Sequence, residues 1–311
     1  MERLVDVKKR MDGVQGIGEV CRTLATVASA KLARSHDRAR CARVYAAVLR
    51  DMLARQRCAV CAEGQDPASL SPLLRTPATV SRVLVVVVGA DRGLCGGYNL
   101  TLGRYARGFL GELEGRGVTP TVVVKGRRAE SYLRRATDFE IADASGWSRS
   151  GVTAADVDAL LEYTTERFTS GDVDEVWACY TAFMSTMLRQ PTTVRLLPVT
   201  QPELPSSPAV QPGVGSSDGS AAERWCYEPS RQACVDELLG RFVRLQIEDA
   251  LLGAYASEQA ARMVTMQEAS ERADRSLAEL SVHFNRLRRE SITSDLVGVL
   301  VAGRVHAGVD S

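Results

Sequence analysis

The sequence has almost no net charge, because its 39 Lys and Arg residues are balanced by 38 Asp and Glu residues. This balance removes the global electrostatic argument for nucleic acid as the main partner. Long apolar runs are also missing: the longest, such as residues 83–88 and 297–302, fall far short of the ~20 residues that a membrane span needs. The N-terminus lacks the apolar core of a signal peptide. We therefore expect a cytoplasmic chain with no nucleic-acid partner and no membrane span of its own.

Residues that could form a catalytic or metal site are sparse. The chain has three histidines, far apart in sequence: His36, His283 and His306. No Ser or Cys nucleophile pairs with them recognisably, so a hydrolase constellation has no support. The sequence predicts no catalytic residue, no bound metal and no cofactor.

The eight cysteines show no regular spacing, which suits a reducing compartment. Cys58 and Cys61 form a lone CxxC, without the second pair or the histidines that a zinc site needs. Cys226 and Cys234 are close enough in sequence for a redox clip. Reduced thiols are the expectation at both pairs, with a metal or redox role as the alternative.

Proline is absent from residues 2–56, and apolar residues recur there at alternating steps of three and four: Val7, Met11, Val14, Cys21, Ala28 and Leu32. This spacing predicts a helix with a coiled-coil seam. Gly13, Gly16 and Gly18 interrupt the helix at a cost of about 1 kcal/mol each relative to alanine. The helix therefore needs a partner that holds it.

The C-terminal part supplies a matching helix, since no proline follows Pro229 and residues 230–302 keep a helical pattern. Its seam has one polar position, Ser270, and the apolar positions Met263, Met266, Ala273, Leu277, Leu280, Phe284 and Leu287. Two such helices satisfy their seams most simply by winding around each other. The predicted coiled coil is antiparallel and pairs residues 1–57 with residues 230–303.

Between the helices the pattern changes to short β-branched runs. Residues 81–89, 121–125, 174–180 and 193–199 are predicted as strands buried on both faces, with helices at 100–114 and 154–169 between them. This alternation predicts a Rossmann-like α/β domain with a mostly parallel sheet over residues 80–200. Residues 201–222 are rich in Pro, Ser and Gly and are predicted to be a flexible insertion.

Several blocks of the sequence resemble the gamma subunit of rotary, F-type ATP synthases. They are ASEQAARMVTM at 256–266, FN through SIT at 284–293, the glycine-rich GADRGLCGGYN at 89–99, LLP at 196–198 and YEP at 227–229. These blocks keep the family's order and spread over almost the whole chain. The three N-terminal glycines and the 201–222 insertion depart from the family pattern and suggest a divergent or alternative form of the subunit.

The resemblance implies a central-stalk rotor without catalytic residues of its own. The paired helices are expected to stand inside a ring of catalytic (beta) and non-catalytic (alpha) subunits. The α/β domain is expected to sit with the epsilon subunit on the membrane rotor ring, at the cytoplasmic face of the cell membrane. Such a subunit couples H⁺ or Na⁺ flow to ATP synthesis or hydrolysis, and it regulates ATPase activity and ion flow.

The resemblance also suggests partner-contact residues. Arg288, Thr293 and Asp295 fall where the family has polar residues that engage a loop of the catalytic subunit, and a guanidinium can offer a carboxylate a bidentate fork.

In the glycine-rich loop, Asp91, Arg92 and Asn99 are predicted to be turn formers, or contacts to the membrane rotor or the epsilon subunit. The loop follows a strand and precedes a helix, which is also the context of a phosphate cradle, but it lacks the Gly-Lys-Ser/Thr ending. Two other functions stay open from the sequence. One is an enzyme that binds a nucleotide at the switch point of its sheet, and the other is a coiled-coil scaffold without a motor.

Overall fold

The computed structural model describes residues 3–62, 71–136, 139, 141–148, 151–199, 228 and 230–307, with the side chains of some helical residues left out. Five α-helices are described: α1 (Leu4–Ala62), α2 (Tyr98–Gly115), α3 (Arg127–Ala136), α4 (Ala154–Thr169) and α5 (Arg231–Ala307). Five strands lie between α1 and α5: β1 (Arg82–Val88), β2 (Thr119–Lys125), β3 (Ile141–Ser145), β4 (Glu175–Phe183) and β5 (Arg189–Leu197). The predicted insertion at 201–222, Cys226, and the side chains of Cys58 and Cys61 lie outside the described residues.

The strands form one sheet in the order β3-β2-β1-β4-β5. The pairings β1–β2, β1–β4 and β2–β3 are parallel, and β4–β5 is an antiparallel hairpin. The predicted mostly parallel sheet is therefore confirmed, as are the two predicted helices that flank its strands, α2 and α4. Helix α3 and strand β3 were not predicted.

The sheet is covered on both faces, which explains the run of valines in β1. Leu84, Val86 and Val88 point into a cluster completed by α4 and α5. Val83, Val85 and Val87 point the other way, into a cluster completed by α2 and α3. A central strand with two buried faces needs an apolar residue at every position, and β1 has one at each position after Arg82.

The chain divides into two compact units, Met1–Ser29 with Arg262–Ser311 and Ala30–Ala261. In the first unit α1 packs on α5. The Arg22 guanidinium pairs with the Asp274 carboxylate at 3.1 Å. A Cβ at Gly18 would lie 3.3 Å from the Cβ of Ala273, so the missing side chain allows a close approach of the helices.

The second unit contains the sheet together with the remaining parts of both long helices. Leu32 of α1 packs against Ala256 and Ala260 of α5, and Arg38 pairs with Glu248 at 3.3 Å. A residue further along α1 contacts a residue with a lower number on α5. The two helices therefore run antiparallel within this unit. The packing of the two long helices is confirmed. The finer division at 1–57, 80–200, 201–222 and 230–303 stays a prediction.

Candidate partner-contact sites

The first candidate site is the exposed C-terminal part of α5, within the first unit. Arg288 is exposed, and within the described part of the chain its guanidinium has no hydrogen bond or ion pair. Its neighbour Arg286 is also exposed, but it pairs with Glu290 one turn further along the same helix, at 3.1 Å. Of these two arginines, Arg288 is therefore the one whose charge the helix itself does not use.

The three predicted contact residues do not all lie on one side of the helix. Position 295 is two turns beyond Arg288 and shares its face, because seven residues at 3.6 per turn come back almost to the same direction. Thr293 lies about 140° around the axis from Arg288. The Thr293 side chain is exposed, and its hydroxyl donates to the Arg289 carbonyl at 2.9 Å. The Asp295 side chain lies outside the described residues.

The second candidate site is the loop between β1 and α2, within the second unit. Two of its predicted contact residues bind the chain itself. The Asp91 carboxylate accepts the backbone N–H of Arg127 at 3.2 Å, and the Asn99 side-chain oxygen accepts the backbone N–H of Ala90 at 3.0 Å. Both side chains thus hold the loop in shape, as turn formers do.

The outer part of this loop faces solvent. Arg92 is exposed, and its side chain has no partner among the described residues. Leu94 is 60% exposed and has a φ of 63°, a left-handed conformation that is costly for leucine. An exposed leucine held in a sparsely populated conformation marks this part of the loop as a surface that a partner can cover.

The nucleotide hypothesis predicts an open crevice at the switch point of the sheet. The chain passes from β1 to β2 and β3 on one side and returns to β4 on the other, so the switch point lies between β1 and β4. Ligands of doubly wound sheets bind there, outside the carboxyl ends of the strands. The loop at 89–99 follows β1 directly at this place.

The switch-point crevice is closed by helix α5. The Tyr98 hydroxyl donates to the carbonyl of Ala254 in α5 at 3.1 Å, and Tyr98 belongs to one apolar cluster with Cys95 and Ala261. Burial raises the pKa of Tyr98 far above its usual value, and the nearby Glu258 adds to the rise. The phenol therefore remains a neutral donor, and it fastens α5 over the place where a nucleotide would lie.

The surroundings of Gly89, the first glycine of the loop, are also tightly packed. A Cβ at Gly89 would lie 2.4 Å from the Cβ of Ala129, and the Gly89 carbonyl accepts the indole N–H of Trp147 at 2.8 Å. Trp147 also packs on Tyr255 of α5, with ring centroids 5.8 Å apart. Gly89 and these aromatic rings allow the chain's own elements to approach closely, and they leave no room for a phosphate beside Gly89.

A buried ion pair lies near this region, and the sequence analysis did not identify it. The Lys125 ammonium contacts the Asp156 carboxylate at 2.6 Å, with side chains 11% and 13% exposed. Asp156 also accepts the backbone N–H and hydroxyl of Thr153 in the capping box that begins α4. Burial favours a raised pKa for Asp156, but the hydrogen bonds from Lys125 and Thr153 outweigh burial and lower the pKa.

The described residues contain no group of three His, Cys, Asp or Glu side chains placed to hold a metal ion. None of the helices in this part of the chain is long and apolar enough to cross a membrane.

Comparison with known proteins gives consistent results. Residues 3–303 match the family described as ATP synthase. The chain is 34% identical over 301 residues to an ATP synthase gamma chain of Geobacter sp. (strain M21), covering 96% of this chain and 97% of the relative. It is 32% identical over 300 residues to an ATP synthase gamma chain of Geotalea daltonii, with the same two coverages.

The fold is similar to a chain of the OSCP/F1/c-ring assembly of Euglena gracilis mitochondrial ATP synthase, solved in rotational state 3. The TM-score is 0.62 at 16% sequence identity, covering 99% of this chain and 96% of that chain. At this identity the likeness concerns the fold alone.

Proposed function

The chain belongs to the ATP synthase family, among its gamma chains, and from this membership we propose that it is the central-stalk rotor of a rotary ATP synthase. As a rotor it couples ion flow across a membrane to ATP synthesis or hydrolysis. Each orientation of an asymmetric axle stabilises one conformation of the catalytic site it faces, so rotation moves the sites through their cycle. The chain takes part in catalysis by the complex without supplying catalytic residues.

The observation that carries this proposal is the closing of the switch-point crevice by α5. A nucleotide-binding enzyme needs that crevice open, whereas a rotor needs its sheet fixed to its axle helix. The Tyr98 bond to Ala254 and the contact of Trp147 with Tyr255 supply such a fixation. The closed crevice therefore favours the rotor over the enzyme.

The antiparallel packing of α1 on α5 within the second unit separates the rotor from a scaffold. A scaffold that assembles through coiled-coil seams leaves those seams for other copies of the chain. Here the seam residue Leu32 is covered by α5 of the same chain. One chain therefore satisfies its own seam, as an axle must.

The partners that we propose follow from family membership. They are the catalytic (beta) and non-catalytic (alpha) ring subunits, the epsilon subunit and the membrane rotor ring, with no nucleic acid among them. The subunit is placed at the cytoplasmic face of the cell membrane as a peripheral component. In this role it regulates ATPase activity and ion flow.

We assign the contact with the catalytic subunit to Arg288, with Thr293 and Asp295. Arg288 has the properties that a transient catch requires, because it is exposed and has no partner among the described residues. Its planar guanidinium can bind a carboxylate through two parallel hydrogen bonds. Thr293 lies well around the helix from Arg288, so it would meet a different part of the same partner loop, or the loop at another step of rotation.

We assign the loop at 89–99 to a contact with the membrane rotor or the epsilon subunit. Arg92 is exposed beside the exposed Leu94, and its guanidinium has no partner among the described residues. Asp91 and Asn99 support this contact indirectly, since their side chains hold the loop backbone in place.

The test is to co-express the chain with the ring subunits from its own source and to measure ATP hydrolysis by the purified assembly. We expect one copy per ring. Arg288→Ala should lower the hydrolysis rate about tenfold to a hundredfold, because a hydrogen bond between charged groups contributes about 1.5–3 kcal/mol.

Arg286→Ala is the matched control, because it removes an exposed arginine two residues away that is already paired with Glu290. Its hydrolysis rate should stay within about twofold of the unmodified assembly. Equal losses in the two variants would refute the catch at Arg288. Failure of the chain to join any ring would refute the rotor itself.

A further inference from the structure

A cavity of about 270 Å³ lies within the second unit, between α1, the sheet and α5, and it is open to solvent on one side. Ala42 and Ala46 of α1 form one wall, and Val194 of β5 and Phe242 of α5 form the others. Tyr180 of β4 adds a second aromatic ring. None of the residues discussed above as partner contacts lines this cavity. The small alanines therefore leave a mostly apolar cleft between the three elements.

One cation lines this apolar cavity. Arg50 of α1 is half-buried there, and within the described part of the chain its guanidinium has no hydrogen bond or ion pair. Its nitrogens are also not among the buried polar atoms that lack a partner in this part of the chain, so a ligand can reach them. A half-buried charge without a countercharge is unfavourable, and the site therefore favours an anion at Arg50.

The acidic residue of the cavity lies away from Arg50. Asp249 of α5 also lines the cavity, and it already interacts with another group of the chain. The residue before it, Glu248, contacts Arg38 of α1 at 3.3 Å, whereas Arg50 lies about 18 Å further along α1 at ~1.5 Å per residue. The two charges therefore lie towards opposite ends of the cavity, and an anion bound at Arg50 does not meet the Asp249 carboxylate.

We propose that this cavity binds a small carboxylate with an apolar body, such as a medium-chain fatty acid. The carboxylate accepts two hydrogen bonds from the Arg50 guanidinium, whose planar fork matches its two oxygens. The hydrocarbon chain lies against the alanines of α1 and the rings of Tyr180 and Phe242, where every buried CH₂ group adds to the affinity.

Neither half of such a ligand fits the site alone. A small inorganic anion would pair with Arg50 but would leave the apolar walls in contact with water. A neutral hydrocarbon would cover the walls but would leave the Arg50 charge half-buried without a countercharge. An amphipathic anion satisfies both parts of the site.

Binding would join three elements at once, because α1, the sheet and α5 all line the cavity. A ligand that binds the folded unit and not the unfolded chain raises the stability of that unit. The site therefore offers a way to stiffen the sheet on its two long helices through a small molecule.

The probe for the test is octanoate, titrated into the purified full chain at neutral pH and constant ionic strength and followed by calorimetry and ligand-observed NMR. We expect saturable binding in the high-micromolar to low-millimolar range. Hexanoate has a shorter chain and should bind about fourfold to fifteenfold more weakly, since each fully buried CH₂ group raises the affinity about fourfold. Equal affinities of the two acids would mean that the chain does not enter the cavity, and they would overturn the proposal.

Octanamide has the same chain without the charge, so it isolates the contribution of Arg50. It should bind about tenfold more weakly than octanoate, at the low end for a hydrogen bond to a charged group, because Arg50 is only half-buried. Arg50→Gln should lower the affinity for octanoate by about the same factor and leave the affinity for octanamide within about twofold. Arg40→Gln is the matched control, since Arg40 is exposed on the same helix and does not line the cavity. It should bind both ligands as the unmodified chain does.

Ala46→Leu fills the cavity and should abolish saturable binding of octanoate, whereas Ala47→Leu at the next, exposed position should not change it. Absence of saturable octanoate binding to the unmodified chain overturns the proposal. Equal affinities for octanoate and octanamide overturn it as well. That comparison needs only the unmodified chain, so it decides the question even when a variant does not fold.

Discussion

Replacing Asp156 by Asn should destabilise the second unit by about 3 kcal/mol, because it leaves the Lys125 ammonium buried without a countercharge. Both side chains are nearly enclosed, and their charged atoms are 2.6 Å apart. Breaking a buried pair by removing one partner costs about 3–5 kcal/mol. The low end applies here, since the Asn oxygen can still accept from Lys125 and from Thr153.

Removing both charges should cost less than removing one. In the double variant Lys125→Met with Asp156→Asn, no unpaired charge remains, and the expected loss is about 1–2 kcal/mol. Asp158→Asn is the matched control on the same helix. Asp158 pairs with Arg244 at 2.8 Å, and the Asp158 side chain is 58% exposed. Asp158→Asn should therefore lower the free energy of unfolding by less than about 1 kcal/mol.

Urea unfolding of the full chain at neutral pH, followed by tryptophan fluorescence, measures these differences. Trp147 reports directly on the site, since its ring centroid lies 5.8 Å from the Lys125 ammonium. A loss below about 1 kcal/mol for Asp156→Asn would refute the argument, because it would mean that Lys125 is solvated in spite of its burial. A double variant as unstable as the sum of both single variants would refute the coupling.

The same pair predicts how stability depends on pH. Hydrogen bonds lower the pKa of Asp156 in the folded chain below its unfolded value of about 3.9. The stability that this carboxylate contributes is therefore fully present above about pH 5 and is lost as pH falls through the folded pKa. The difference in unfolding free energy between the unmodified chain and Asp156→Asn should therefore become smaller as the pH falls below about 5.

Two further predictions concern packing and thiols. Gly103→Ala should destabilise the folded chain by about 1–3 kcal/mol, because its Cβ would lie 2.2 Å from the ring of Tyr132. Gly108→Ala on the same helix should instead stabilise it by up to about 1 kcal/mol, since nothing lies within 4 Å of the added Cβ. Thermal unfolding of both variants checks this difference in sign. Burial raises the pKa of Cys179 to about 12, so a maleimide at about pH 8 should label the exposed Cys41 and leave Cys179 unlabelled until the chain unfolds. Peptide mapping by mass spectrometry measures both thiols, and early labelling of Cys179 would contradict its burial.

Elements with a strong pattern could be predicted from the sequence. The valines of β1 predict a strand buried on both faces, and the seam residues of the long helices predict their pairing. Strand β3 was missed because it lies at an edge of the sheet, where Ile141 and Ala144 are only partly buried and the rest is exposed. Helix α3 was missed because it is only ten residues long and half of them are charged. Its apolar residues Ala129, Tyr132 and Leu133 do recur at helical spacing, but over too few turns to stand out.

The candidate sites were predictable only in part. Arg288 could be identified by its place in a recognisable block, since an exposed residue leaves no trace in apolar periodicity. The closing of the crevice could not be predicted, because Tyr98 and Ala254 are 156 residues apart in sequence. The ion pair of Lys125 with Asp156 was hidden for another reason, since lysine and aspartate are usually surface residues and no pattern marks the ones that are buried.

The use of α5 to complete the core of the sheet constrains how the chain is made. Leu84 and Val86 of β1 share their cluster with Val235, Phe242 and Leu251 of α5, and a ribosome produces those residues after all five strands. Part of one face of the sheet, beside α4, must therefore stay uncovered until α5 has been synthesised. Contacts between such distant parts of a sequence also make folding slow. The core of the sheet can therefore be completed only after the ribosome has made α5, the same helix that closes the crevice.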